Sequence, residues 1–216
     1  MAQLFRPQAN AYIRATIVIG LLGVLGAIGV VMAHIRSPEV WNLRRPAPQP
    51  IPFRHDLHVG GLGMDCRFCH NTVEQAASAG MPSAQTCMSC HSQIWVGAGA
   101  LEPLRTSLAL DRPIEWRSVH RLPGYAVFHH GIHVARGVTC GTCHGAVEAM
   151  PRTAKQEPMS MGWCLDCHRN PHPFISPQMA AQAAGFPAEA ANDPVKALEA
   201  YDIAVARLVS CSTCHR

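Results

Sequence analysis

Aromatic side chains are scarce in this 216-residue chain: phenylalanine, tyrosine and tryptophan together make up 6 % of it. A chain of this length builds one or two ordinary domains, yet so few aromatics leave little bulk for a conventional core. Charged residues are also few, at 15 %, and lysine is nearly missing, since sixteen of the eighteen basic residues are arginine. There is no phosphate-binding glycine loop, no acid–base constellation and no iron–sulfur cysteine pattern. Their absence sets aside nucleotide-driven, hydrolytic and cluster chemistry. Glycine and proline are plentiful, 17 of each, which points to loops and short helices rather than sheet.

What is present in quantity is cysteine, and all of it falls in one pattern. Cys-x-x-Cys-His occurs five times: Cys66–Cys69–His70, Cys87–Cys90–His91, Cys140–Cys143–His144, Cys164–Cys167–His168 and Cys211–Cys214–His215. The ten cysteines are used up with none left over. This is the pattern of covalent c-type haem attachment, in which two thiols form thioethers and the adjacent histidine is the proximal iron ligand. Zinc sites would need two cysteine pairs each and leave an orphan among five. Disulfides across each pair would not call for a histidine after every second cysteine.

Five covalently attached c-type haems then supply the missing apolar bulk. The expected fold is mainly α with extensive irregular loops, wrapped around five haems, with one N-terminal transmembrane helix. The formal charge of +4 changes meaning too. Each ferric haem with its two propionates adds about −1, so five bring the chain to about −1, and full reduction to about −6. The arginines read as carboxylate partners for propionates, and no nucleic-acid partner is implied.

The stretch from Ala15 to Ala33 carries no charge and, with Tyr12 and Ile13, is long enough to cross a bilayer as a helix. A cleaved signal peptide competes with this reading. The apolar run is long for such a peptide and no small-x-small cleavage site follows, so a retained single-pass anchor is expected. Arg36, Arg44 and Arg45 weaken a positive-inside argument. Orientation comes from haem attachment, which takes place outside the cytoplasm. The N-terminus is then cytoplasmic and the haem-bearing part periplasmic, on the inner membrane. Gly20, Gly23, Gly26 and Gly29 recur every three residues, and such a face suits close packing on another membrane helix. Prolines at 46, 48, 50 and 52 predict a stiff extended spacer.

An internal repeat organises the remainder. Phe53-Arg54-His55-Asp56-Leu57-His58-Val59 precedes Cys66, and Phe128-His129-His130-Gly131-Ile132-His133-Val134 precedes Cys140. Each is followed by two attachment motifs, with Glu74 and Met81-Pro82, or Glu148 and Met150-Pro151, between them. The implied organisation is an anchor at 1–36, a proline-rich linker at 37–52, a dihaem module at 53–95, a connector at 96–127, a second dihaem module at 128–175, and a helix with the fifth haem at 176–216. That helix opens with Asp193 as cap and Pro194 at its first position. Its apolar positions are Val195, Leu198, Tyr201, Ile203, Val205, Leu208 and Val209.

In F-x-H-x-x-H the two histidines lie on one side of a helical turn and reach two different irons. That makes His55, His58, His130 and His133 distal ligands. Five haems need a fifth, and the candidates are His120 first, Met161 second, then His172, His129 and Met159. A methionine there would raise the potential relative to bis-histidine ligation. His34 is read as interfacial. Trp95 and Trp116, in the connector region, either pack on porphyrin edges or fill core.

Taken together, the opening MAQLFRPQAN before one apolar helix, FRHDLHV, W-x-x-VHRLPGY before FHHGIHV, PMSMGWCLDCHRNP and the closing CSTCHR resemble the pentahaem, membrane-anchored cytochrome c subunit of alternative complex III. F-x-H-x-x-H by itself is shared with the broader class III and c7-type cytochromes. His129 stands where the resemblance implies asparagine. The resemblance implies an electron-transfer subunit of a quinol-oxidising complex, not itself the enzyme. Its partners would be an iron–sulfur protein, multispan quinol-binding subunits, a monohaem cytochrome c and membrane lipid. Electrons would pass toward that cytochrome, a cupredoxin or an oxidase. The alternative is a self-sufficient membrane-anchored multihaem quinol dehydrogenase feeding a periplasmic reductase. A third reading, a passive scaffold stabilised by isolated haems, sits poorly with paired distal histidines.

Overall fold

The structure, a computed structural model, describes Arg6, residues 8–176, Asp193, Val195, Lys196, Glu199 and residues 204–215. It divides into two compact units, Met1–Leu43 and Arg44–Arg216.

The first unit is dominated by α1, Gln8–Ile35, whose 28 residues have no buried side chain. At 1.5 Å per residue it is about 42 Å long, more than a hydrocarbon core of about 30 Å requires. Among the described residues it is the one helix long and apolar enough to cross a membrane. It starts earlier than the charge-free run and includes Arg14. The Thr16 hydroxyl donates to the carbonyls of Tyr12 and Ile13, at 3.0 and 2.9 Å. Trp41 Nε1 donates to the Ile35 carbonyl at 3.1 Å, satisfying one of the acceptors that a helix end leaves open.

The second unit is mainly helical, and its described residues form no strands; three isolated antiparallel bridges join Pro46 to Ala154, Ala126 to His215 and Val138 to Ile175. Its α-helices are short: α2 Cys66–Cys69, α3 Ala84–His91, α4 Glu102–Ala109, α5 His130–Ala135, α6 Cys140–His144, α7 Met161–Arg169, α8 Val205–Leu208 and α9 Cys211–Cys214. Of the expected helix at Asp193, the cap is described: its Oδ1 accepts from the Val195 and Lys196 amides at 2.9 and 3.4 Å. Pro194, Leu198, Tyr201 and Ile203 lie outside the described residues.

Apolar packing is sparse. Among the described residues Ile51, Ala84 and Leu104 form the one buried cluster, with Leu104 at 1 % exposure. Trp116 packs against it and donates its indole N–H to the Pro82 carbonyl at 3.4 Å, so this ring fills core. Trp95 remains 68 % exposed. The proline-rich stretch contributes Ile51 to the cluster. It is tied down by Gln49, whose side chain donates to the Arg117 carbonyl (2.8 Å) and accepts from the Arg117 amide (2.9 Å).

The two repeated stretches interlock reciprocally. In the first, the turn carrying His58 packs on the second repeat: the Asp56 amide donates to the Met150 carbonyl at 3.2 Å, and a Cβ on Gly60 would collide with the Glu148 carbonyl. In the second, the amides of His130 and Gly131 donate to Ala77 and Ala76 at 3.2 Å, and a Cβ on Gly131 would stand 2.6 Å from the Glu74 carbonyl oxygen. The repeated glutamates therefore sit at equivalent points of this exchange. The turns differ in one respect. The first, Asp56–Gly61, is π-helical, whereas its counterpart α5 is α-helical. The first repeat has one more residue between its second histidine and the next cysteine, and a π turn is the geometry that takes up a single added residue.

Candidate functional site

Each attachment motif lies on a short helix, so its two cysteines project from one side, three residues apart. Four of the helices open with a side-chain cap. Asp65 accepts from the Arg67 amide (2.8 Å), Ser83 from Thr86 (3.4 Å), Thr139 from Thr142 (3.3 Å) and Ser160 from Trp163 (3.2 Å). The fifth has Ser210 at the cap position without that bond. Caps directly precede the first cysteine in motifs one, three and five, and stand four residues before it in motifs two and four. By that measure the fifth motif is built like the opening motif of a module. The Arg67 guanidinium beside Asp65 holds its carboxyl below the usual range.

The histidines are oriented through Nδ1. Among the motif histidines, His70 donates to the Gly80 carbonyl (2.7 Å), His91 to Ile94 (3.2 Å), His168 to Leu208 (3.0 Å) and His215 to Tyr125 (3.2 Å). In the repeated stretches, His58 donates to Arg54 (2.8 Å), His130 to Ala77 (2.7 Å) and His133 to His129 (2.9 Å). A carbonyl only accepts, so in these seven rings Nδ1 holds the proton and Nε2 keeps the lone pair a metal needs. His55 Nδ1 pairs with the Thr153 hydroxyl at 3.0 Å, and His144 Nδ1 with His120 Nε2 at 3.3 Å.

The rings also face one another in pairs. The centroid separation is 6.2 Å for His58 and His91, 6.4 Å for His130 and His144, and 6.2 Å for His133 and His168. A metal–imidazole bond is about 2.0–2.1 Å; with about 1.1 Å from nitrogen to ring centre, two imidazoles on one iron stand about 6.3 Å apart. The donor set therefore fits the group the motifs imply. Burial first, and the neighbouring His70 next, push the pKa of His55 down.

Phenylalanine fixes both members of each F-x-H-x-x-H. Phe53 is edge-on to His55 at 4.8 Å and stacked on His58 at 4.4 Å. Phe128 repeats this with His130 at 4.8 Å and His133 at 4.5 Å. Nothing in the residue types alone singled out these rings. The signal was their place in the repeat.

The cysteines reveal which motifs are neighbours. Burial raises each of the following thiols, and the next cause is a cysteine of another motif. For Cys87 it is Cys69; for Cys140 it is Cys66, which also hydrogen-bonds to it; for Cys164 it is Cys214. Cys143 is pushed to about 11 by burial and then by Cys167 and Cys164. The second motif therefore neighbours the first, the first the third, the third the fourth, and the fourth the fifth.

The candidates for a fifth distal ligand are dispersed. His120 lies on the Nδ1 side of His144, with ring centroids 4.4 Å apart; burial leads in driving both rings down to about 4. His129 caps α5, accepting from the Ile132 amide at 3.4 Å. Its counterpart Arg54 pairs with Asp56, Nε to Oδ1 at 3.0 Å. His172 Nδ1 is buried without a hydrogen-bond partner among the described residues. Met161 opens α7 and is 65 % exposed, and Met159 has a left-handed φ of 51°. His34 is in the last turn of α1.

A family model, cytochrome c7 and related cytochrome c, matches residues 51–96 and 126–216. A relative named menaquinone reductase, multihaem cytochrome c subunit, from Nitratidesulfovibrio vulgaris is 33 % identical over 123 residues. That match covers 54 % of this chain and 56 % of the relative, little more than half the relative's length.

Proposed function

The chain belongs to the cytochrome c7 and related cytochrome c family, and on that premise we propose that it is the five-haem electron-transfer subunit of a membrane quinone-linked oxidoreductase, of the alternative complex III type. The observation that supports this reading is that each of the five attachment motifs neighbours another, second with first, first with third, third with fourth and fourth with fifth, which we read as a row. When bound, c-type haems supply one-electron redox chemistry. The chain's own residues attach, orient and bury them. Proximal ligation falls to His70, His91, His144, His168 and His215. Distal ligation would fall to His55 paired with His70, His58 with His91, His130 with His144 and His133 with His168, the last three pairings supported by the ring separations above.

The distal ligand of the fifth site is Met161. It lies one helical turn before Cys164, the cysteine whose neighbour is Cys214, and thus on the face of α7 toward the fifth motif. His120 is engaged elsewhere. A thioether ligand would make the fifth site the high-potential end of the row, where electrons leave toward a monohaem cytochrome c, a cupredoxin or an oxidase.

α1 anchors the chain in the inner membrane with the second unit on the periplasmic side. Its glycine face packs on a multispan quinol-binding partner, and an iron–sulfur subunit delivers electrons. One observation favours a second reading. The relative named above belongs to a menaquinone reductase, so the same row would carry electrons toward quinone instead of away from quinol.

Purification from native membranes in mild detergent, with haem staining, identification of co-purifying chains and quinol-oxidation and quinone-reduction assays, tests the proposal. Travel with a large iron–sulfur subunit and multispan partners, with quinol oxidation depending on them, supports it. Quinone reduction by the same assembly favours the second reading. Isolation of the chain alone, with its haems reduced directly by quinol, overturns both and leaves a self-sufficient quinol dehydrogenase.

A further inference from the structure

Four of the five motif histidines donate Nδ1–H to a backbone carbonyl, those of Gly80, Ile94, Leu208 and Tyr125. The third motif is different. Among the described residues His144 has no carbonyl at Nδ1 but the Nε2 of His120 at 3.3 Å, the two rings nearly perpendicular at 84°. His120 is itself held in place. Its carbonyl accepts from the Ser118 hydroxyl at 2.6 Å, and the segment leading to it is clamped by Gln49 on both backbone groups of Arg117. It lies in the connector between the two stretches matched by the family model, 51–96 and 126–216.

We propose that His120 is a positioning residue for the third site, accepting the Nδ1 proton of His144 and strengthening the donation His144 makes through Nε2, and that it is not an iron ligand. The inference rests on the reading that the motif histidines are proximal ligands. Its chemistry is that of an outer hydrogen-bond partner, which fixes the tautomer and ring plane of a ligating imidazole and raises its basicity. An imidazole nitrogen is a stronger base than an amide oxygen, so it draws the Nδ1 proton more strongly than a backbone carbonyl does. The ligand gains imidazolate character, which favours the ferric state and lowers the potential of that one site. The third motif neighbours both the first and the fourth, so on the row reading the residue adjusts the middle of the path and not an end.

The test uses the full-length holoprotein, wild type and the variants His120→Leu and His120→Gln. Haem per chain, ferric spin state by electron paramagnetic resonance, carbon monoxide binding and the set of midpoint potentials are measured for each. The expected result for His120→Leu is unchanged haem content, no new high-spin or carbon monoxide-binding haem, one low-spin signal displaced, and one of the five potentials moved upward with the other four in place. His120→Gln offers a side-chain carbonyl and is expected to move the same potential by a smaller amount. If His120→Leu does not accumulate with full haem content, His120→Gln decides alone by the same criteria. A new high-spin, carbon monoxide-binding haem in either variant overturns the proposal by making His120 an iron ligand. Potentials and resonance signals identical to wild type overturn it by showing no influence on the site. A wild-type chain short of five haems would remove the ligand reading itself, whereas five low-spin haems with an unresponsive variant remove only this inference.

Discussion

Phe128 touches two ligand candidates at once, edge-on to His130 and stacked on His133. Aromatic pairs of this kind are worth about 0.5–1.5 kcal/mol each, so Phe128→Ala is expected to cost about 1–3 kcal/mol in the holoprotein. It should also release two histidines together. The expected outcome is a high-spin fraction at the third and fourth sites, read by electron paramagnetic resonance, with the first and second undisturbed; Phe53→Ala should give the mirror result. Asp65 provides a pH prediction. Its carboxyl is held below the usual value, first by Arg67, so the unfolded chain binds the proton more readily. The stabilisation is present above about pH 3.9 and is lost as pH falls through the folded value. Because the group is mostly exposed, its charge contributes at most about 1 kcal/mol. Asp65→Asn, which keeps a cap oxygen and has no carboxylate to protonate, should be less stable than wild type near neutral pH, and denaturant unfolding followed by Soret circular dichroism should show the gap closing as pH falls through the folded value.

The exchange of contacts between the repeats hangs on two glycines. A methyl group on Gly131 would stand 2.6 Å from the Glu74 oxygen and 2.9 Å from its carbonyl carbon, both backbone atoms, so one repeat must move off the other. Overpacking of this kind costs about 1–3 kcal/mol. Gly131→Ala should lower the thermal midpoint of the holoprotein by several degrees, while Gly124→Ala, with nothing within 4 Å of its Cβ, should leave it within error. Much of this arrangement was legible in the chain. The spacing of C-x-x-C-H, the in-register F-x-H-x-x-H and even the extra residue before Cys66 are visible as letters. The interlock was not, because its acceptors are main-chain carbonyls of Ala76, Ala77, Glu74 and Glu148, which any residue type supplies. His120 is ambiguous in the sequence for a related reason. It occurs once, outside the repeat, and a histidine presenting Nε2 to a neighbouring Nδ1 has the same letter as one presenting it to a metal. The row order also depends on contacts between distant motifs, such as Cys66 with Cys140, that no local pattern encodes.

Across the whole molecule, the described residues bury only six hydrophobic side chains, Ile51, Val73, Ala84, Leu104, Ala154 and Ile175. At about 1.5–3 kcal/mol for each large side chain, such a core cannot offset the ordering of a chain this long. The second unit is therefore expected to fold only with haem attached. Expression in a host without covalent haem attachment should yield a protease-sensitive chain whose remaining helical signal comes chiefly from α1. On this reading the five sites form one continuous row in which each histidine has an assigned place. A density map of the mature chain within its native membrane assembly tests it most directly. The account predicts five covalently attached haems ordered second, first, third, fourth, fifth, with His55, His58, His130 and His133 on four irons, Met161 on the last and His120 behind His144. A break in the row, or His120 bonded to iron, would contradict it.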